Sequence, residues 1–156
     1  SLNDYVLKAT AKALKNNKHI LVSLDGDQII KRAHVNIGMA VALEDGLIVP
    51  VIKDADKMSL GEISEAARDL AERARTNKLS MDEYKGSTFS ISNLGMFGVE
   101  TFNPIINQPD AGILGVCAVQ DELVMDDAGA ITKRQFMRIS VTFDHRWIDG
   151  ATAAKF

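Results

Sequence analysis

Two hydrophobic periods follow one another in an irregular order along this 156-residue chain, and this order constrains the fold more than any other feature. Between Ser59 and Asn77 apolar residues recur every three or four positions, which predicts a helix, and Ser59 with Glu62 forms a capping box at its start. Between Val35 and Leu43 they recur at every second position, which predicts a strand. Because helices and strands do not alternate regularly, the pattern favours an α+β fold with a mixed sheet and helices packed on one side.

The other segments add helices and strands to this pattern. The further predicted helices are Asp4–Ala13 with Asn3 as its cap, a short helix capped by Ser80 and Glu83, and Ala151–Phe156. The predicted strands are a hairpin from Ile20 to Lys31 that turns at Asp25-Gly26, an edge or bulged strand Leu47–Lys53 that contains Pro50, and two strands, Gly112–Val119 and Arg138–Phe143, separated by a turn at 126–129. A structured loop is expected from Gly95 to Asp110.

Composition excludes several classes of partner. With 18 basic and 21 acidic residues, a net charge of −3 and no basic cluster, the chain offers no surface for nucleic acid and no membrane patch. The single cysteine, Cys117, has apolar neighbours and cannot form an intrachain disulfide, which fits a reducing, cytosol-like compartment. Both ends look cut, so we expect residues 1–156 to be one domain truncated at each end.

His145 is the strongest candidate for chemistry, because it follows a predicted strand and precedes a break at Gly150. An imidazole titrates near pH ~6.5, so it can accept a proton from a hydroxyl or thiol and return it. Asp149 could pair with Arg146, accept a hydrogen bond from the imidazole, or accept one from a backbone amide, and the spacing does not choose among these. A histidine with a purely structural role in a charged corner is the alternative.

Other chemistries find no support in the sequence. His19 and His34 lack nearby ligand patterns, and there is no His-Glu-x-x-His motif or cysteine pair, so no metal site is expected. The glycine pair Gly95 and Gly98 is too weak a signal for phosphate binding. Cys117 lies in a buried-looking strand, which argues against a nucleophilic role.

A hydroxyl-bearing face marks the strand after Ser87. Phe89 and Ile91 alternate with Thr88, Ser90 and Ser92, so one face of the strand is apolar and the other carries three hydroxyls. A polar face inside a sheet requires a structural or chemical reason, and these three residues are therefore candidate hydrogen-bond donors.

Several motifs together resemble one family. They are Asp144-His145-Arg146-x-x-Asp149-Gly150, Ser92-Asn93-Leu94-Gly95-Met96-Phe97-Gly98 and Pro104-Ile105-Ile106-Asn107-Gln108-Pro109, with Val35–Ala42 and Gly46–Val51 upstream. In this order they resemble the catalytic domain of the dihydrolipoamide acyltransferases, which form the core of 2-oxo acid dehydrogenase complexes. The resemblance covers nearly the whole chain, although Trp147 stands where the family tends to have a smaller aliphatic residue.

The resemblance implies a fold similar to chloramphenicol acetyltransferase: a two-layer mixed sheet with helices on one side. It implies acyl transfer between the thiols of dihydrolipoamide and coenzyme A, with both as substrates and no metal. His145 is then the general base, Ser92 the hydroxyl that stabilises the oxyanion, with Thr88 and Ser90 as fallbacks, and Asp149 a third site residue.

The resemblance also implies an assembly. The substrate channel lies between subunits of a homotrimer, so that His145 of one chain faces Ser92 of its neighbour, and trimers build a larger core. The lipoyl domain and the dehydrogenase components are the expected partners, while the lipoyl and subunit-binding modules lie outside residues 1–156. The expected location is the cytoplasm, with the mitochondrial matrix as the alternative.

Acyl specificity and three other functions stay open. Acetyl transfer, as in pyruvate- or acetoin-type complexes, is the first choice because the segment from Ser92 to Gly98 looks most like those members; succinyl and branched-chain acyl transfer are alternatives within the family. A free-standing chloramphenicol-type acetyltransferase or a condensation domain is a further alternative, but these usually carry His-His where this chain has Asp144-His145. The last alternative is a non-catalytic core subunit, which needs neither His145 nor Ser92.

Overall fold

A five-stranded mixed sheet lies at the centre of the molecule, which a computed structural model describes over residues 1–156. The helices are α1 (Leu2–Asn16), α2 (Leu60–Arg75) and α3 (Gly150–Lys155), with single 3₁₀ turns at Lys18–Ile20, Met81–Tyr84 and Gly95–Phe97. The strands are β1 (Val22–Asp25), β2 (Gln28–Lys31), β3 (Ile37–Met39), β4 (Val41–Leu43), β5 (Gly46–Ile48), β6 (Val51–Ile52), β7 (Phe89–Asn93), β8 (Gly112–Met125) and β9 (Ile131–Phe143). None of the helices combines the length and apolar character needed to cross a bilayer.

The sheet has the order β6-β3-β7-β8-β9. Its inner strands β3, β7 and β8 are parallel, whereas the edge strands β6 and β9 run antiparallel to their neighbours. Two separate hairpins, β1–β2 and β4–β5, accompany it. The predicted mixed sheet is therefore confirmed.

One face of the sheet forms the hydrophobic core with α1 and α2. Successive strand residues point to opposite faces, so the side chains that share this face recur at every second position. They are buried in one cluster with the apolar stripes of both helices, as the periods in the sequence predict. The sheet contributes Ile37, Met39, Phe89, Ile91, Leu114 and Val116, and the helices contribute Leu7, Ala11, Leu14, Ile63, Ala67, Leu70 and Ala74.

The opposite face carries small and hydroxyl residues, and the irregular segment 99–110 lies over it. A Cβ on Gly115 would lie 3.0 Å from both Phe102 Cζ and Pro104 Cδ, so a larger residue could not fit beneath this segment. Ser140 Oγ on β9 donates a 2.6 Å hydrogen bond to the Phe102 carbonyl. The covering segment is thus held directly on the sheet.

Two predicted strands are each divided in the structure. The predicted strand Val35–Leu43 breaks at Ala40 into β3 and β4, which belong to different sheets, and the amide of Ala40 donates to the carbonyl of Ile91. The predicted strand Leu47–Lys53 divides at Pro50, which cannot donate a ladder hydrogen bond, into β5 and the edge strand β6. Alternation alone does not reveal such a change of partner.

The β8–β9 hairpin is longer than predicted. The sequence indicated Gly112–Val119 and Arg138–Phe143, whereas the paired strands continue to Met125 and begin at Ile131. The outer half is mostly exposed, with ion pairs such as Lys133–Asp121 in place of a buried face. Without a buried face the apolar alternation that identifies a strand is weak.

The cap of α1 is also different from the prediction. Ser1 precedes the helix and forms a capping box with Asp4, whereas Asn3, the predicted cap, lies in the first helical turn. There Asn3 Oδ1 accepts a 3.0 Å hydrogen bond from Asn93 Nδ2. The side chain expected to cap α1 instead ties the helix to the end of β7.

Candidate active site

Ser92 lies near the end of β7, beside a cavity of about 740 Å³. The cavity is bounded by α1, α2, the start of β4 and the turn that follows β7. Arg68 and Arg75 line it from α2. Its lining is otherwise largely apolar and includes Met39, Val41, Ile91, Leu94, Met96 and Phe97.

Asn93 and Gly95 determine the shape of the turn that follows Ser92. Asn93 Oδ1 accepts a 2.9 Å hydrogen bond from the Gly95 amide. A Cβ on Gly95 would lie 2.7 Å from the Cys117 carbonyl oxygen, so only glycine lets this turn approach β8 so closely. The turn that follows Ser92 is therefore held close to β8.

Ser92 is the one hydroxyl of its face that is free to act. Thr88 is 3% exposed, and its Oγ1 accepts from the Asn36 amide and contacts the carbonyls of His34 and Asn36 at 3.0 and 3.2 Å. Ser90 is 1% exposed and donates to Asp110 at 2.6 Å. Ser92 is half-buried and makes no side-chain hydrogen bond within the chain, so it remains the candidate donor, whereas the hydroxyls of the two fallback residues already have partners.

His145 lies in a tight turn between β9 and α3. Backbone hydrogen bonds define the turn: the Asp144 amide donates to the Ala111 carbonyl at 2.8 Å, and the amides of Trp147 and Ile148 donate to the Asp144 carbonyl at 3.1 and 2.9 Å. Ile148 is 1% exposed and belongs to the core, whereas His145 is exposed. The turn thus presents the imidazole outward from a buried anchor.

The neighbours of His145 form an ion pair with each other. Arg146 Nε and Nη2 donate to the two carboxylate oxygens of Asp144 at 2.9 and 2.6 Å. These hydrogen bonds lower the pKa of Asp144 below its ordinary value. Arg146 is therefore paired with Asp144 and not with Asp149. The His145 ring itself lies against Phe143, with ring centroids 5.6 Å apart.

Asp149 caps α3, which settles the three alternatives left open by the sequence. Its Oδ1 accepts a 2.7 Å hydrogen bond from the Thr152 amide. This hydrogen bond is the main cause that lowers the pKa of Asp149, and the charge of His145 is a minor one. The carboxylate orients the loop through the helix that follows it.

Ser92 and His145 lie far apart within one chain. Ser92 is beside Gly115, which pairs with Ser140, whereas β9 runs on to Phe143 before the His145 turn begins. Strand spacings then separate Ser92 from the end of β9 by roughly 10 Å along the strands and roughly 10 Å across the sheet. The structure does not bring the two predicted site residues together in a single subunit.

Asp110 is a polar residue of this region that no sequence motif indicated. It is 3% exposed, and burial raises the pKa of its carboxyl to about 6, against the opposing effect of hydrogen bonds from Ser90 and Ser87 and of the Arg32 charge. A second cavity of about 260 Å³ is lined by Asp110 together with Asp144 and other residues. The hydroxyl-bearing strand was the available signal, because a buried serine requires a hydrogen-bond partner.

The arrangement provides an imidazole at one end of the sheet and a free hydroxyl at the other. An imidazole can take a proton from a nucleophile, and a hydroxyl can donate to a developing oxyanion. No group of three or more His, Cys, Asp or Glu side chains is placed to hold a metal ion.

A model of the family described as 2-oxoacid dehydrogenases acyltransferase (catalytic domain) matches residues 1–156. The chain belongs to this family. The resemblance of its motifs to the dihydrolipoamide acyltransferases is thereby confirmed.

The names of two relatives within the family specify different acyl groups. The dihydrolipoyllysine-residue acetyltransferase component of the pyruvate dehydrogenase complex from Zymomonas mobilis is 45% identical over an alignment of 157 positions, which covers 100% of this chain and 35% of the relative. The succinyltransferase component of the 2-oxoglutarate dehydrogenase complex from Rickettsia typhi is 45% identical over 152 residues, which are 97% of this chain and 38% of the relative. The chain therefore spans well under half the length of these acyltransferase components.

Solved acyltransferase structures share the fold. The cubic core of a pyruvate dehydrogenase multienzyme complex superposes with a TM-score of 0.92 at 40% identity, covering 99% of this chain and 64% of that chain. The Azotobacter vinelandii dihydrolipoamide acetyltransferase, in which the catalytic roles of a serine, a histidine and an asparagine were investigated, gives 0.92 at 39% identity, with 99% and 64% covered. Chloramphenicol acetyltransferase, at 13% identity and a TM-score of 0.56 over 99% and 73%, confirms the predicted fold class.

Proposed function

We propose that this chain is the catalytic domain of a dihydrolipoamide acyltransferase that transfers an acetyl group between dihydrolipoamide and coenzyme A. The observation that carries the proposal is the family match over residues 1–156, which includes the exposed imidazole of His145 and the free hydroxyl of Ser92. A serine and a histidine are also named for the catalytic mechanism of the Azotobacter relative. The third residue named there is an asparagine, whereas Asp149 is the third candidate here.

His145 acts as the general base in this reaction. A thiol with a pKa near ~8.5 is only a few per cent ionised at neutral pH, so a base in hydrogen-bond reach raises its reactivity. The imidazole takes the proton of the coenzyme A thiol as sulfur attacks the carbonyl carbon of the acetyl thioester. The tetrahedral intermediate collapses with loss of the dihydrolipoamide thiolate, which recovers the proton from the imidazole.

Ser92 stabilises the intermediate. Its hydroxyl donates to the oxygen that becomes negative when the carbonyl is attacked, and such a donor typically contributes about 2.7–4 kcal/mol to the transition state. The largely apolar lining of the cavity beside it is expected to limit the access of water, which would otherwise hydrolyse the thioester. Thioester chemistry in this cavity is therefore consistent with its lining.

The active site is shared between subunits of a trimer in this proposal. The separation of Ser92 and His145 within one chain supports it, because a neighbouring copy must supply the second group. Co-expression of His145→Ala with Ser92→Ala tests it: random mixing leaves about a quarter of the shared sites intact, so activity should rise far above that of either single variant. Activity that stays at the level of the single variants contradicts the shared site.

Acetyl is the proposed acyl group because the segment from Ser92 to Gly98 resembles pyruvate- and acetoin-type members. Acetyl and succinyl relatives are equally similar to the whole chain, at 45% identity. One methylene in an apolar pocket changes binding by only about 1–3 kcal/mol, so a rate comparison is required. We expect acetyl-coenzyme A to be used faster than succinyl- or isobutyryl-coenzyme A with dihydrolipoamide. Equal rates contradict the acetyl assignment, and no transfer with any donor favours a non-catalytic core subunit.

The proposed assembly is a larger core built from trimers, served by lipoyl domains and dehydrogenase components in the cytoplasm. The similarity to the cubic core of a pyruvate dehydrogenase complex supports this assembly. Light scattering on the sample used for the thiol-transfer assay tests it directly. Trimers or multiples of trimers are expected in active samples, and full activity in a monomeric sample contradicts the proposal.

A further inference from the structure

A buried carboxyl group joins the two distant parts of the site. Asp110 is the last residue of the segment that covers the sheet and lies two residues before the start of β8. It is 3% exposed, although aspartate is rarely buried unless its oxygens have partners. Its backbone also forms an isolated antiparallel bridge with Ser23, which is 0% exposed. The position of Asp110 is thus determined from several sides.

The side chain of Asp110 binds the strand that carries Ser92. Ser90 Oγ, two residues before Ser92 on the same face of β7, donates to Asp110 Oδ2 at 2.6 Å. Ser87 Oγ, just before the strand, donates to Asp110 Oδ1 at 3.0 Å. Asn107 Nδ2 donates to Ser90 Oγ at 3.2 Å, so the hydroxyl of Ser90 is held by two groups of the covering segment.

The backbone beside Asp110 binds the turn that carries His145. The carbonyl of Ala111, the next residue, accepts the 2.8 Å hydrogen bond from the Asp144 amide. The carbonyl of Asp144 in turn accepts from the amides of Trp147 and Ile148. The His145 turn therefore begins at a backbone position that the Asp110 side chain anchors to β7.

We propose that Asp110 is a positioning residue of the transfer site, which fixes the strand of Ser92 through its carboxylate and the turn of His145 through the adjoining backbone. This proposal rests on the proposed function, because it concerns the placement of those two groups. Small displacements matter in such a site. A substitution far from the reacting atoms that displaces a catalytic group by about 1 Å can lower the rate about 100-fold.

The main test replaces Asp110 in the full-length assembled acyltransferase. Asp110→Ala leaves the hydroxyls of Ser90 and Ser87 without their acceptor, and we expect kcat with acetyl-coenzyme A and dihydrolipoamide to fall about 10- to 100-fold with KM nearly unchanged. Amide hydrogen exchange at Ile148 should become faster. Asp110→Asn keeps an acceptor of the same shape and should restore kcat to within about threefold of the parent.

Ser90→Ala tests the same link should Asp110→Ala fail to fold. It removes one of the two hydrogen bonds to the carboxylate, so a smaller fall in kcat is expected, and in the double variant the two effects should not add. Asp127→Ala, on the exposed hairpin turn, is the matched control and should leave kcat and exchange unchanged.

Three results overturn the proposal: a parental kcat in the Ala variants, a fall in kcat with unaltered exchange at Ile148, or an Asn variant as impaired as Asp110→Ala. Exchange is measured without substrate and does not depend on the proposed function. A parent that transfers no acyl group therefore refutes the function, whereas the exchange at Ile148 in Asp110→Ala still decides whether Asp110 orders the His145 turn.

Discussion

The surroundings of Ser92 and of His145 differ in almost every physical respect. Ser92 is half-buried in a sheet strand beside a largely apolar cavity of about 740 Å³. His145 is exposed on a turn between charged residues, near a polar cavity of about 260 Å³. In the proposed reaction this difference would suit a division of labour, in which the apolar region shelters the thioester and the exposed turn keeps an imidazole free to exchange protons. Neither region alone provides both functions.

Loss of the base should have the largest effect on this division. General-base catalysis typically contributes about 100- to 10,000-fold in rate, so His145→Ala should lower kcat by an amount in that range while the fold is retained. Steady-state acyl transfer measures the effect, and circular dichroism checks the fold. His19→Ala, which changes another exposed histidine, should have full activity. A His145→Ala variant with parental kcat breaks the assignment of the base to this turn.

Loss of the hydroxyl should have the next largest effect. Removing one donor to an oxyanion typically costs about 100- to 1,000-fold in kcat, and we expect Ser92→Ala to fall in this range with little change in KM. Ser64→Ala is the control within the same cavity, because Ser64 lines it but donates to Asp4 at 2.9 Å. Equal losses in both variants would assign the effect to the cavity and not to a donor.

The buried carboxyl of Asp110 should make stability depend on pH in a particular direction. Burial raises its folded-state pKa to about 6, whereas an unfolded aspartate titrates near ~3.9. Between these values the folded chain binds more protons than the unfolded chain, so this contribution to stability is complete below pH ~4 and is lost as the pH rises towards 6. The loss amounts to about 3 kcal/mol.

Asp110→Asn removes this titration. The free energy of unfolding of the variant, relative to the parent, should therefore increase as the pH is raised from 4 to 7, and urea unfolding at several pH values measures it. Asp127→Asn serves as the reference, since an exposed carboxyl should leave the pH profile parallel to that of the parent. An Asp110→Asn profile parallel to the parental one contradicts the raised pKa.

We expect the smallest effect from substitution of Asp149, the cap of α3. This substitution distinguishes a capping role from a direct role at His145. Asp149→Ala removes the acceptor for the Thr152 amide and should lower Tm and kcat slightly, because α3 has only six residues. Asp149→Asn retains a capping oxygen and should stay close to the parent in both measurements. A large loss of kcat in the Asn variant with unchanged Tm would instead give the charge of Asp149 a role at His145.

The sequence predicted those parts of the fold that have one buried face. The helix after Ser59 and the core strand from Phe89 were correct because burial imposes a regular period on them. The break at Ala40 depends on which strand pairs with which, and the outer half of the β8–β9 hairpin has no buried face. Neither property is present in a local pattern of apolar residues.

The sequence predicted the surroundings of His145, of Ser92 and of Asp110 to different extents. The motif around His145 carried enough information to place this histidine in a turn after a strand, and the structure adds that its side chain is exposed. The family resemblance favoured Ser92 over Thr88 and Ser90, which share its face, and the structure adds that the hydroxyls of Thr88 and Ser90 already have hydrogen-bond partners. Asp110 was missed because its importance arises from contacts with residues about 20 positions away in the chain.

Ile148 connects the His145 turn to the hydrophobic core, so substitutions in the core can affect the turn. It is the one fully enclosed side chain of the His145 turn, and it packs in the same cluster as the apolar stripes of α1 and α2. Interiors of proteins are close-packed and transmit small volume changes. Substitutions among those stripes can therefore shift the turn through Ile148 and change the orientation of the His145 ring without contacting it.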